Sequence, residues 1–164
     1  MNKKFGVIVT GLTLAALCTA AMADPLPKSG SISLHAAFRA AFEILPVADK
    51  HAEAHGDARG VTFNDKGSGP LHLGPLDCTY ASFIVNDTGR MKGYCAYGDA
   101  DGDRFFTDYI GTFSLTNGQS QGTSDIVSGT GKYAGITGNV PWKCQAAGTL
   151  GEYQCTYRID YKLP

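Results

Sequence analysis

The chain has 164 residues, a near-neutral balance of 14 Lys and Arg against 15 Asp and Glu, 43% apolar residues and 21 Gly. One domain is the natural reading of that length. Low charge with ample aromatics excludes a disordered chain, and the missing basic excess excludes a phosphate-tracking nucleic-acid binder. High Gly with eight Tyr and eight Phe favours strands over a helical bundle.

Residues 1–23 have the form of a secretory signal peptide. Lys3 and Lys4 precede an apolar run from about Phe5 to Leu17, and Ala21-Met22-Ala23 is an A-x-A cleavage site that would leave Asp24 as the new N-terminus. The run is short for a bilayer span, so no stable membrane anchor is expected. A lipoprotein site at Cys18 would want a small residue where Leu17 stands. The short lysine-led leader looks bacterial and points to the periplasm or the medium. Cleavage takes 23 residues from 164 and leaves 141, with two lysines and no acid removed, so the mature charge is −3. It also removes Cys18 and leaves four cysteines, which in an exported chain read as two disulfides.

Strand signals follow in order. From Ser31 to Ile44 every even position is apolar, through Leu34, Ala36, Phe38 and Phe42, while the odd ones include His35, Arg39 and Glu43. That period of two predicts a long half-buried strand; a helix would wrap the same apolar residues around its circumference. Further strands are predicted near Lys50–Asn64, Leu76–Asn86, Arg90–Tyr97, Arg104–Leu115, Gln119–Ser128 and Val140–Ala147. A last one alternates Tyr153, Cys155, Tyr157, Ile159, Tyr161 and Leu163 with polar residues. Turn residues punctuate them at Asn64 to Gly67, Asp87 to Gly89, Asp101 to Asp103, Asn117-Gly118 and Gly148 to Gly151. Eight short-linked strands predict an all-β fold, an eight-stranded antiparallel barrel of residues 24–164, because closure removes exposed edges. A two-sheet sandwich is the alternative. Residues 24–30 read as a lead-in, and Asn86-Asp87-Thr88 is a glycosylation sequon that in a bacterial protein is only a turn.

The cysteines test this assignment. A hairpin centred between Thr149 and Leu150 sets Cys144 opposite Cys155, and one around Asn86 and Asp87 brings Cys78 near Cys95. All four fall on apolar faces. Among three connectivities, Cys78–Cys95 and Cys144–Cys155 are therefore expected.

The run Gly129-Thr130-Gly131-Lys132-Tyr133-Ala134-Gly135-Ile136-Thr137-Gly138 resembles the G-T-G-x-[YF]-x-G-x-x-G element of allene oxide cyclase and dirigent-type barrels. The stretch from Trp142 to Cys144 and the final strand look like the end of related bacterial secreted proteins. The resemblance covers about Gly102 to Pro164. It implies an eight-stranded barrel and transfers no activity, since no plant cyclase catalytic residue matches a position here and the four cysteines depart from the pattern.

Chemistry-bearing candidates are few. Asp99, Asp101 and Asp103 alternate like the start of a calcium loop, but Arg104 and Ile110 stand where Gly and Glu would be needed, so an acidic turn is the preferred reading. His51, Glu53, His55 and Asp57 share one strand face, a spacing compatible with a transition metal, although a solvated wall explains it more simply. His35 and His72 have no acid partner visible in sequence. No nucleophile set or G-x-S-x-G occurs, and oxidised cysteines cannot act as nucleophiles. No catalytic residue, metal or cofactor is assigned.

The inward aromatics Phe38, Phe42, Tyr80, Phe105, Tyr109, Trp142, Tyr153 and Tyr157, with Phe113, are the candidate ligand-binding set. A barrel of this size is either filled by such side chains or holds one small ligand. The leading expectation is non-catalytic binding of a small hydrophobic or aromatic molecule. A cyclase or isomerase that steers a reactive substrate in a shaped cavity is second. A solid barrel that meets partners or copies of itself through its outer wall is third.

Overall fold

A computed structural model describes residues 26–164; the expected signal peptide lies outside them. Eight strands run β1 Ser29–Ala48, β2 His51–Asn64, β3 Gly74–Val85, β4 Thr88–Gly98, β5 Arg104–Ser114, β6 Gln119–Gly129, β7 Thr137–Ala146 and β8 Glu152–Lys162. Each pairs antiparallel with the next, and β8 pairs with β1, closing the barrel. The expected strands are all present. β1 is longer at both ends than its alternation suggested, and one 3₁₀ turn, Gly131–Tyr133, precedes β7.

The pairing register fixes the width of the barrel. Glu53 pairs with Phe83, and the ladder continues through Arg90, Thr112, Gln121, Lys143 and Thr156 to His35 on β1. Glu53's direct partner on β1 is Leu45, ten residues further along. Such a stagger tilts the strands and, at fixed strand number, sets how much room is left inside.

Both disulfides join directly opposed residues of neighbouring strands, with Cα–Cα separations of 4.1 Å for Cys78–Cys95 and 4.0 Å for Cys144–Cys155. Because β3–β4 and β7–β8 lie four strands apart, the two staples hold opposite walls. They fit an oxidising compartment. Among the described residues no helix is long and apolar enough to cross a membrane, a statement that does not bear on β-strands.

The two ends of the barrel differ. At one end Leu34, Leu76, Phe105, Val140 and Ile159 meet in a solid layer, each no more than 1% exposed. Leu71 folds under it from the β2–β3 loop, where Thr62 Oγ1 donates to the Leu71 carbonyl at 2.7 Å and Asn64 Nδ2 to the Pro70 carbonyl at 2.8 Å. Tyr133 and Ile136 close the layer from the β6–β7 connection. At the other end the turns are short, and Ile44, Leu45, Val47, Leu115 and Leu150 are exposed around an open mouth.

Candidate functional site

Between floor and mouth lies a cavity of about 290 Å³. It exists because bulky and small residues alternate between neighbouring strands. Phe38 pairs with Gly60, Phe42 with Gly56, Tyr109 with Gly93, Phe113 with Gly89 and Trp142 with Gly122. A Cβ on Gly89, Gly93 or Gly122 would overlap the ring of Phe113, Tyr109 or Trp142 respectively, so these rings lie against the wall where side chains are missing. Aromatic cover over a strand glycine is a recognised way to build a curved sheet. Here it also keeps the rings out of the centre of the lumen.

Eight of the nine expected aromatics line this cavity: Phe38, Phe42, Tyr80, Tyr109, Phe113, Trp142, Tyr153 and Tyr157. Phe105 does not, a correction to the expected set. It is fully buried in the floor, stacked on Tyr97 at 4.8 Å and meeting the edge of Tyr133 at 5.4 Å. Alternation assigns a residue to a face but not to a depth, and Phe105 starts β5 at the plugged end. Tyr97, the inward neighbour of Cys95, does line the cavity; its place two residues beyond that cysteine was the available signal. Met91, Ile84, Ser124 and the mouth residues Ile44, Leu115 and Leu150 complete much of the lining.

Among the described residues, the lining holds no Asp, Glu, Lys, Arg or His. Its polarity comes from hydroxyls and from Gln119 near the mouth. Burial raises the pKa values of Tyr97, Tyr109 and Tyr157, with neighbouring tyrosines adding to the effect, and burial with Tyr153 and Asp57 pushes Tyr80 up to about 12. All four are therefore neutral donors at ordinary pH. Three of the disulfide sulfurs' residues, Cys78, Cys95 and Cys144, also face the cavity.

The acidic turn has a different role. Lys132 reaches into it, with Nζ 2.6 Å from Asp101 and 2.9 Å from Asp99. The Lys132 amide donates to Asp103 at 2.9 Å, and the Tyr133 hydroxyl donates to the buried Asp99 at 2.7 Å. Burial opposes the charge on Lys132, but the two carboxylates outweigh it and raise the lysine pKa; the lysine in turn lowers that of Asp101. The cation at this loop is thus supplied by the chain. Gly131, at φ 51°, sits where a Cβ would overlap the Asp103 carboxylate. The Gly-Thr-Gly-Lys-Tyr motif is a clasp that folds onto the turn and sets Tyr133 into the floor.

The histidines lie outside the lumen. His51, Glu53, His55 and Asp57 all point outward from β2, where His51 Nδ1 donates to the Asp49 carbonyl and His55 lies 3.5 Å from Glu43. Among the described residues no three His, Cys, Asp or Glu side chains come together as a metal set. His35 gains a partner invisible in sequence: its Nδ1 is 2.7 Å from Asp65, across the β1–β2 pair, and its ring stacks on Phe63. His72 packs edge-on against the other side of that region, 6.4 Å from Phe63. Neither histidine is among the residues that line the cavity. No protein-family model and no curated protein matches the chain.

Proposed function

We propose that this chain is an exported barrel that binds one small hydrophobic or aromatic molecule in its open half. The observation that carries the reading is the uncharged, aromatic-walled cavity beside a packed floor. A pocket of this kind gains affinity from apolar burial and orientation from a few polar groups. Export rests on the leader-like segment and the paired cysteines. The isomerase reading would want a water or a carboxylate at the cavity end; no carboxylate is among the described lining residues, and binding without chemistry is the reading preferred.

The test is a titration of mature protein with N-phenyl-1-naphthylamine, a neutral dye that brightens in apolar surroundings. Saturable one-to-one brightening is expected. Ala54→Phe, which places a ring in the cavity, should abolish it while circular dichroism stays unchanged. An unchanged dye response in that variant, or no response in the wild type, would refute lumen binding.

A further inference from the structure

The floor of the cavity has a donor chemistry that narrows the ligand class. Tyr97 and Tyr157 stand there with ring centroids 5.7 Å apart and nearly perpendicular, and Tyr109 follows above, edge-on to Trp142 at 5.8 Å. The hydroxyls of Tyr80 and Tyr109 are held by long bonds to the Ala41 and Thr79 carbonyls, and that of Tyr133 by Asp99; no such bond holds Tyr97 or Tyr157 among the described residues. Thr107, on the inward face of β5 between Phe105 and Tyr109, is fully buried with a hydroxyl that has no partner, but it is not among the residues that line the cavity.

A phenol hydroxyl that faces an apolar cavity and has no protein acceptor can be satisfied by water or by an oxygen of a bound molecule. A phenol at the closed end of an apolar pocket offers its hydrogen to an oxygen that arrives with the ligand. A carboxylate would suit the donors but not the surroundings, because among the described residues no cation lines the cavity to offset its desolvation. A plain hydrocarbon would fill the space and leave the donors idle.

We infer that the cavity selects an uncharged apolar molecule carrying a carbonyl or ether oxygen, which enters oxygen first and accepts hydrogen bonds from Tyr97 and Tyr157. The inference rests on the binding function proposed above and specifies its ligand class.

Three bicyclic probes of similar size separate the terms: tetralin, 1-tetralone and 1,2,3,4-tetrahydro-2-naphthoate, each measured by displacement of N-phenyl-1-naphthylamine. Tetralone should bind more tightly than tetralin by about threefold to tenfold for each hydrogen bond gained, and the carboxylate should bind most weakly. In Tyr97→Phe and Tyr157→Phe, which keep the rings and so the packing, the tetralone-to-tetralin affinity ratio should fall by about the same factor. Equal affinity for tetralone and tetralin, a carboxylate that competes as well as the ketone, or an unchanged ratio in both variants would overturn the inference while leaving lumen binding intact. Failure of the dye itself to bind would instead overturn the parent proposal.

Discussion

Raising the pH should unfold this barrel through its tyrosines. Burial raises the pKa values of Tyr97, Tyr109, Tyr133 and Tyr157 in the folded chain, with Asp99 adding to the effect at Tyr133. In the unfolded chain each titrates near 10. A raised folded pKa means that the folded state keeps protons the unfolded state has lost, so stability is intact below pH 10 and falls above it. Between pH 10 and pH 11, a tyrosine that stays protonated when folded gives up roughly 1 kcal/mol. Four such groups bring the loss to about 3–4 kcal/mol, a large part of an ordinary folding free energy of about 5–15 kcal/mol. The assay is urea unfolding at pH 9, 10 and 11, followed by the emission of Trp142, the single tryptophan, with tyrosinate absorbance showing that ionisation accompanies unfolding. Tyr157→Phe should remove one group's share of the pH slope. Constant stability from pH 9 to pH 11, or tyrosinate appearing before unfolding, would show that these hydroxyls ionise within the folded barrel and that burial does not hold their protons.

Other perturbations probe the remaining devices. Replacing Cys144 and Cys155 by serine should cost about 2–4 kcal/mol in urea unfolding, and the Cys78–Cys95 pair a similar amount, because each staple closes a short loop of the unfolded chain. Lys132→Met leaves the 8%-exposed Asp99 side chain without its cation and should destabilise by about 1–3 kcal/mol; thermal melts that do not shift would refute the clasp. Gly122→Ala would press on Trp142 and on the Ile110 carbonyl, costing about 1–3 kcal/mol and shifting Trp142 emission.

The strands were legible because each has a wet and a dry face, so alternation survives from Ser31 to Leu163. The disulfides were legible for a related reason: a hairpin centre fixes which residues oppose, and Cys144 then meets Cys155. The lining was legible as a face and not as a position along the barrel axis. Parity therefore does not separate Phe105, in the floor, from Tyr109 and Phe113 in the lining, nor does it mark Tyr97 as a lining residue. Alternating carboxylates signal an acidic turn, but nothing local signals that Lys132, 29 residues beyond Asp103, supplies its cation. His35 and Asp65, 30 residues apart, meet for the same reason: pairing of β1 with β2 brings distant residues side by side.

The sequence by itself determined an eight-stranded, doubly stapled β domain with aromatics on its inner face, because faces, turns and hairpin centres are local properties. Only the tertiary structure decided that the barrel is plugged at one end and hollow at the other. That outcome depends on a ten-residue stagger around the whole ladder and on which glycine each ring lies against, and both are relations between strands rather than along them.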